Sequence, residues 1–334
     1  MRPFIALLLG VWGAAALANP LFDEATPIDA TLSGELDALM KNARTGGEQE
    51  FPFRLLIGGA SIEVDVRARG KSRRKACNFP PLRLDIKKAS ADGTPFEGQN
   101  KLKLVTHCNK GDRYETFVLE EYAIYRMLNV LTPSSFRVRL LRIGYQQTGK
   151  DASDVHNAFV IEDDDALALR MGGKAVDPPR IDPRALDPEY TALAAVFQFM
   201  IANFDWSSVG APPGETCCHN GKAIELGERY RVVPYDFDLA GLIATPYATP
   251  NPELGVRRVR DRVYRGFCAS TEAGLLASTL ALFREKKDAL LGVHASIPGV
   301  PADEIEDQTR FVRDFFELID DPKAVERQIV AKCR

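Results

Sequence analysis

Several features that would identify a common class of protein are missing from this chain. After residue 18, no segment has the roughly twenty uninterrupted apolar residues that a membrane-spanning helix needs, so no membrane span is expected. Neither a Gly-x-Ser-x-Gly motif nor a Ser-His-Asp arrangement is present, which leaves serine-hydrolase chemistry unsupported. Gly70-Lys71-Ser72 looks like the end of a phosphate-binding P-loop, but the first glycine of that motif would fall at Asp65. The P-loop interpretation therefore fails.

Residues 1–18 have the composition of a secretory signal peptide. They carry one positive charge and an apolar core, and they end in Ala16-Leu17-Ala18, which predicts cleavage after Ala18. No cysteine directly follows this cut, so a bacterial lipoprotein anchor is not expected. We therefore expect an exported protein, either periplasmic or secreted.

An excess of positive charge is also missing. Of the 43 basic residues, Arg2 lies in the predicted signal peptide, and the others face 46 acidic residues. This balance argues against nucleic acid as the main partner. The remaining chain, about 315 residues, exceeds what one core usually holds, so we expect one large domain or two closely packed lobes.

Cysteine spacings that fit a zinc site are absent as well. An even number of cysteines in an exported chain favours disulfides over thiol chemistry. We expect Cys77 to pair with Cys108, because each lies at the end or just beyond the end of an extended segment in the same half of the chain. The adjacent Cys217 and Cys218 lie in one loop, and we expect disulfides from this loop to Cys268 and Cys333. Which cysteine of the loop pairs with which of the other two is left open.

The pattern along the chain divides it into a sheet-rich part and a helical part. Residues 19–50 predict an N-terminal arm with a helix, and residues 51–177 predict mostly antiparallel strands, because apolar and polar residues alternate in them. One long helix, Tyr114 to Val130, interrupts these strands. Four prolines between residues 178 and 188 mark a boundary, after which residues 178–334 are mainly helical in pattern.

The stretch from Val196 to Ile243 carries the most informative polar residues. Asp205 follows an apolar helical run, Asn220 begins a short apolar strand, and Asp236 and Asp238 follow the next strand. Carboxylate and amide oxygens hold hard cations, and a carboxylate can orient a hydroxyl, so this order suits a metal–nucleotide site. The alternative is that these residues are only helix caps and turns, which is their commonest use.

Several short motifs resemble the spore-coat-protein CotH family of atypical secreted kinases over about residues 60–290. The quoted segments are Arg67-Ala-Arg69-Gly70-Lys71-Ser72, Leu82 to Lys88, Phe117 to Leu128, Ala158-Phe159-Val160-Ile161-Glu162, Ala202-Asn203-Phe204-Asp205-Trp206 and Pro234-Tyr235-Asp236-Phe237-Asp238-Leu239-Ala240-Gly241. The resemblance implies an α+β, two-lobed, protein-kinase-like fold. In it, an antiparallel sheet lobe with one helix precedes a mainly helical lobe that carries the Asp205, Asp236 and Asp238 cluster.

The resemblance also implies roles for individual residues. Asp205 would be the catalytic base, and Asn220 with Asp236 or Asp238 would hold Mg²⁺ or Mn²⁺ beside ATP. Lys103, or alternatively Lys87, would place the phosphates and pair with Glu121 or Glu120 of the long helix. The remaining predicted nucleotide contacts lie in the basic loop, namely Arg69 and Lys71.

Three functions follow from these expectations. The first is phosphoryl transfer to a hydroxyl of an exported protein or envelope component. The second is a non-catalytic binding module of the cell envelope, and the third, ranked last, is metal-assisted hydrolysis.

Two histidines beside cysteines, His107 and His219, are expected to fill a strand or a loop rather than bind a ligand. The basic run from Arg67 to Lys75 is either a phosphate contact or a solvated charge run.

Overall fold

The computed structural model describes residues 19–151 and 154–334. The predicted signal peptide lies outside these described residues. Its cleavage therefore stays a prediction.

The first half of the chain forms a closed barrel of seven strands. Their order around the barrel is β1-β2-β3-β4-β5-β7-β6. The strand bounds are β1 Ile28–Gly34, β2 Phe51–Ile57, β3 Ala60–Ala68, β4 Leu82–Ile86, β5 Lys101–Val105, β6 Val138–Gln147 and β7 His156–Ile161. Neighbours are antiparallel except at the closing pair, where β1 runs parallel to β6 with Ile28 opposite Leu141.

Strict alternation along the strands fills the barrel with apolar side chains. In β3, for example, Ile62, Val64 and Val66 are buried while their neighbours point outward. Because side chains of a strand alternate between faces, this period of two places one complete apolar face inside. Helix α1, Leu36–Arg44, packs against the same interior cluster through Leu39 and Met40.

Helix α4, Asp112–Leu131, packs against the outer face of β6 and β7. Apolar side chains surround it, because the helices of the second half cover its other side. The other helices are α2 Arg73–Ala76, α3 Lys88–Ala91, α5 Asp164–Arg170, α6 Pro188–Met200, α7 Ala273–Glu285, α8 Lys287–Leu291, α9 Ala302–Asp320 and α10 Pro322–Gln328. Short 3-10 turns connect several of them.

A second, three-stranded sheet lies between α5 and α7 in the chain. Its strands are β8 Lys174–Val176, β9 Gly221–Leu226 and β10 Arg229–Pro234, all antiparallel in the order β10-β9-β8. The hairpin of β9 and β10 presents Asn220 just before its first strand and Asp236 just after its second.

The predicted two-lobed, protein-kinase-like fold is wrong. The seven strands close into a mixed barrel and do not form an open antiparallel sheet lobe. The predicted N-terminal arm, residues 19–50, supplies β1, which closes the barrel by parallel pairing with β6 across more than a hundred residues of chain. The predicted boundary at residue 178 also falls between β8 and β9, two paired strands of the small sheet. Because β1 and β6 are so far apart in the chain, no local pattern in the sequence predicts that they pair.

Local predictions in the first half were better. The helix expected at Tyr114 to Val130 is confirmed as α4, and the strands expected around residues 61–69 and 82–88 are confirmed as β3 and β4. Among the described residues, no helix is long and apolar enough to cross a membrane.

All six cysteines are in disulfides, which is typical of chains that fold outside the cytoplasm. The predicted bond between Cys77 and Cys108 is confirmed. The predicted link from the Cys217-Cys218 loop to the other two cysteines is wrong, because Cys217 and Cys218 bond to each other. The remaining pair is Cys268 with Cys333.

The disulfide between Cys77 and Cys108 should matter for stability. It ties α2 to the chain just after β5, closing a sequence separation of 31 residues. We expect the double substitution Cys77→Ala with Cys108→Ala to lower the free energy of unfolding by about 2 to 5 kcal/mol, the usual value for a native bridge. Chemical unfolding of the oxidised proteins measures this difference. An unfolding free energy equal to that of the parent would show that the bridge adds nothing.

Candidate functional site

A buried arginine lies at the centre of the polar residues that the sequence singled out. Arg73 Nε donates to Asp238 Oδ2 at 2.8 Å, and Arg73 Nη2 contacts Glu121 Oε1 and Asp236 Oδ1, each at 2.9 Å. The Arg73 and Glu121 side chains are almost fully buried, as is that of Asp238. Three carboxylates from distant parts of the chain therefore share one cation.

The loop between β3 and β4 delivers Arg73 to this position. Gly70 has a φ of +82°, a conformation that glycine adopts at low cost, and Arg73 then begins the short helix α2. The neighbouring Arg74 stays on the surface side of the loop, where its guanidinium donates to the carbonyl oxygens of Gly46, Gly47 and Gly70. One arginine of the basic run thus faces inward, and that run is not simply a solvated surface.

Burial and the neighbouring charges shift the pKa values of Glu121, Asp238 and Arg73. Burial raises the pKa of Glu121 to about 7 against the opposing effect of Arg73, and it also raises the pKa of Asp238. Burial disfavours the charged form of Arg73, but Asp238, Glu121 and Asp236 outweigh it and raise the pKa of the guanidinium. The arginine stays charged, while three carboxylates near one cation repel one another.

Asp236 differs from Asp238 in exposure and in backbone conformation. Its side chain is 33% exposed, and its φ is +62°, which is uncommon for a residue with a side chain. Its backbone N–H donates to the hydroxyl of Tyr125 in α4 at 2.9 Å. Such strained residues cluster at functional sites, because the surrounding structure must hold them in place.

A second group of polar residues forms around Asp205, after α6. Its Oδ1 lies 2.8 Å from His219 Nε2, and its Oδ2 accepts a hydrogen bond from Asn220 Nδ2 at 2.9 Å. The hydrogen bond to Asp205 is the main reason that the pKa of His219 is raised. His219 is therefore a hydrogen-bond partner of the predicted base, and the expectation that it does not bind a ligand stays a prediction.

Backbone contacts join the Asp205 group to the Asp236 group. The N–H of Tyr235 donates to the carbonyl of Asn220 at 3.1 Å, and the N–H of Gly241 donates to the carbonyl of Ala202 at 3.0 Å. A Cβ at Gly241 would lie 2.4 Å from the carbonyl oxygen of Val259, so only glycine fits there. Asn220 and Ala202 also have positive φ values, of 50° and 52°.

The predicted lysine–glutamate pair is not formed. Lys103 makes a short ion pair with Asp164 and lies 5.2 Å and 5.3 Å from the ring centres of Phe136 and Tyr235. Burial lowers the pKa of Lys103 although Asp164 opposes this. The alternative, Lys87, pairs with Asp65 on the outer face of the barrel. Glu121 instead faces Arg73, so the predicted pairing of Lys103 with Glu121 is wrong.

Two other predicted contacts, Arg69 and Lys71, lie in the loop that carries Arg73. Burial lowers the pKa of Lys103 and raises that of Tyr235, and in both cases the charge of Arg69 acts to lower the pKa. Lys71 is exposed and pairs with Glu215 at 2.6 Å, just before the Cys217-Cys218 loop. The loop thus lies beside both acid groups.

Glu120, the other predicted partner for a lysine, has a separate role. It is fully buried and accepts hydrogen bonds from Gln308 of α9 at 3.0 Å and from Arg113 at 3.4 Å. Burial raises its pKa to about 8, against the effect of Arg113. Adjacent glutamates of α4 therefore point to different neighbours, one to α9 and the other to Arg73.

The space beside these acids is small. A cavity of about 10 Å³ lies next to Asn220 and His219, and another of about 10 Å³ is lined by Arg73, Glu121 and Asp238. Each has room for about one water molecule or ion. A ligand larger than this must lie on the surface of the site.

The structure joins Asp205 to Asn220 by a hydrogen bond and joins Asp236 and Asp238 to Arg73, and the backbone bond from Tyr235 to Asn220 links the two groups. That all four side chains form one site stays a prediction. The structure adds two residues that sequence reasoning missed, Arg73 and His219. A buried cation could have been predicted, since buried acids need a compensating charge. The basic run from Arg67 to Lys75 did not show which of its residues turns inward.

A scan of the chain against protein-family models gave no match, and a search of curated proteins gave none either. The resemblance to the CotH family therefore stays a prediction.

Removal of the Arg73 charge should destabilise the protein. Arg73→Met leaves Glu121 and Asp238 buried without their cation, which typically costs about 3 to 5 kcal/mol of unfolding free energy. The loss should be larger at pH 8 than at pH 5, because protonation of the raised-pKa carboxyls at low pH removes their repulsion. Urea unfolding at both pH values measures this.

The control for this experiment is Arg258→Met. Arg258 is 84% exposed and, among the residues that the structure describes, pairs only with Asp261, so the change should cost less than about 1 kcal/mol at either pH. Equal losses for the two variants, or a loss at Arg73 that does not depend on pH, would contradict the role given to Arg73.

Glu120 should make stability depend on pH. Its pKa is raised from 4.5 to about 8, so its neutral form stabilises the fold fully below pH 4.5 and this contribution is lost as pH rises to 8. Glu120→Gln, which imitates the neutral form, should therefore gain stability relative to the parent as pH rises, by at most about 1.4 kcal/mol per pH unit. Unfolding at pH 5 to 8 measures the slope. Glu306→Gln, at a 79% exposed position, should show no such slope.

Proposed function

We propose that this chain is an exported phosphotransferase that depends on a divalent cation and a nucleotide. Asp205, Asn220 and Asp236 would form the reactive centre, and a hydroxyl of an exported protein or envelope component would be the acceptor. The observation that carries the proposal is the placement of these three residues on two turns joined by a backbone hydrogen bond, where Asn220 and Asp236 both have left-handed backbone conformations.

The donors in this group suit a hard cation such as Mg²⁺ or Mn²⁺. Asn220 uses its amide nitrogen on Asp205, and among the described residues its amide oxygen accepts no hydrogen bond. Asp205 and Asp236 are each about one-third exposed, so carboxylate oxygens are within reach of an ion. When bound, the cation would neutralise charge on the phosphates. Asp238 is excluded from this role, because it is buried behind Arg73.

Cationic side chains beside the acids suit a phosphorylated ligand. Arg69 and Lys71 come from the loop that precedes α2, and Lys103 is held near Tyr235 by Asp164. Arg73 takes the pairing with Glu121 that the sequence had assigned to a lysine. We propose that Arg69 and Lys71 contact the phosphates, while Lys103 adds positive charge from its position beside Tyr235.

We assign the role of the base to Asp205. In the proposed reaction, the acceptor oxygen bonds to the terminal phosphorus of ATP, the bond from that phosphorus to the bridging oxygen breaks, and ADP leaves. The acceptor proton passes to the Asp205 carboxylate. Hydrogen bonds from His219 and Asn220 fix the orientation of this carboxylate, and positioning of this kind supplies most of the catalysis in phosphoryl transfer.

A second candidate function is a binding module without catalysis. The observation that favours it is Arg73, a cation within the protein that already pairs with Glu121, Asp236 and Asp238. With this cation in place, fewer carboxylate oxygens remain for a metal ion. The two candidates differ in whether the site needs a divalent cation and whether ATP is consumed.

Two substitutions separate binding from transfer. Asp236→Asn should weaken Mn²⁺-dependent ATP binding at least tenfold, because it removes a charged oxygen donor. Asp205→Asn should keep the affinity for ATP within a few-fold but abolish formation of ADP, because a base is not needed to hold the nucleotide. Calorimetric titration measures binding, and ADP release with water as the acceptor measures transfer.

Asp320→Asn is the matched control, since Asp320 is half-exposed and pairs with Arg284 far from this site in the chain. It should change neither measurement. Parent protein that binds no ATP with either Mg²⁺ or Mn²⁺ would show that the transferase proposal is wrong. Binding that needs no metal, with no ADP formed, would decide for the binding module.

A further inference from the structure

Two histidines and a glutamate meet at a place that the proposed function does not use. His107 follows β5, Glu115 lies in the first turn of α4, and His156 is the first residue of β7. One ligand atom of each lies within 4.8 Å of the other two. His156 Nδ1 is 2.7 Å from Glu115 Oε1. Two imidazoles with one carboxylate are a donor set that zinc enzymes use, with the fourth position left open.

His107 lacks the hydrogen bonds that a buried histidine normally makes. Its side chain is 6% exposed, and its Nδ1 has no hydrogen-bond partner among the described residues. Burial, helped by the nearby His156, lowers the pKa of His107 to about 4, so the ring is neutral at physiological pH. A neutral ring offers a nitrogen lone pair, which is the form that binds a metal ion.

The surroundings of Glu115 and His107 hold these two residues in place. The second oxygen of Glu115, Oε2, accepts a hydrogen bond from the backbone N–H of Asn157 at 2.6 Å. The next residue after His107 is Cys108, which is bonded to Cys77. Rings of Phe79 and Tyr145 pack around the histidines. Such support orients ligands and excludes water, as the outer shell of a metal site does.

We propose that His107, Glu115 and His156 bind a transition-metal ion of the zinc class. Imidazole nitrogens favour Zn²⁺, Cu²⁺ and Ni²⁺ over Mg²⁺ and Mn²⁺, so this site would be distinct in chemistry from the oxygen donors at Asp205 and Asp236. No thiolate competes, because all six cysteines are in disulfides. The ion would tie the start of α4 to β5 and β7.

The two imidazole rings must rearrange when the ion binds. They lie face to face with centres 3.9 Å apart and planes inclined by 11°. A metal ion in the plane of one ring would therefore lie well outside the plane of the other. His156 is the ring that turns, because its side chain is 22% exposed, whereas His107 is held between His156 and Phe79. Metal binding therefore replaces the ring stack with coordination bonds.

Titration of the metal-free, full-length mature protein with ZnCl₂ at pH 7.5 tests the proposal. We expect one ion per chain, with an affinity that falls at least tenfold in His156→Gln and in Glu115→Gln. The visible absorption of bound Co²⁺ provides a second measurement, because the position and intensity of its ligand-field bands report the coordination geometry of the ion. His156 and Glu115 are both partly exposed, so these variants should fold, and circular dichroism checks that they do.

Two control variants separate this site from the one proposed above. His219→Gln removes a hydrogen-bond partner of Asp205 and Asp236→Asn removes a proposed cation ligand at the other site, and both variants should leave Zn²⁺ affinity within two-fold of the parent. Zn²⁺ binding that His156→Gln leaves unchanged, or that Asp236→Asn removes, would overturn the proposal. Failure of the ATP experiment would leave this result untouched, because the two sites share no ligand.

Discussion

The buried guanidinium of Arg73 is the interaction on which the rest of the site depends. It binds one carboxylate of α4 and two that follow β10, so it fixes the position of these elements relative to the barrel loop. Buried ion pairs are weak sources of net stability, because desolvation opposes them. Their geometric effect is stronger: without the cation, Glu121 and Asp238 could not both stay charged in the interior. Arg73 thus determines where Asp236, the more exposed acid, is held.

The loop that positions Arg73 is anchored in the closed barrel. The loop that carries Arg69, Lys71 and Arg73 connects β3 to β4, both of which are paired on two sides. The disulfide at Cys77 and the backbone bond from Phe79 to the carbonyl of Cys108 hold the far end of the same loop. A loop fixed at both ends can place a long arginine side chain in the interior without a large additional loss of entropy.

The sequence predicted local structure well and long-range structure poorly. Alternation identified β3 and β4, helical spacing identified α4, and the polar order anticipated the contact of Asp205 with Asn220. The parallel pairing of β1 with β6 could not be read from pattern, because either strand alone fits many partners. The pairing of Lys103 with Glu121 failed for a similar reason. Both carboxylates of Glu120 and Glu121 are buried, and only the fold shows that Gln308 and Arg73 are closer to them.

Helix α4 connects the two candidate sites. Its three glutamates have three neighbours: Glu115 faces His156, Glu120 faces Gln308, and Glu121 faces Arg73. Apolar contacts surround the helix, so each acid is tolerated only where a partner meets it. One small cavity is lined by His107 on one side and by Arg73 and Glu121 on the other. A cation held by His107 would therefore lie near Glu121 and favour its ionised form, since a bound ion is the largest charge in its surroundings. A cation at the histidine site would in this way influence the charge of Glu121, which pairs with Arg73.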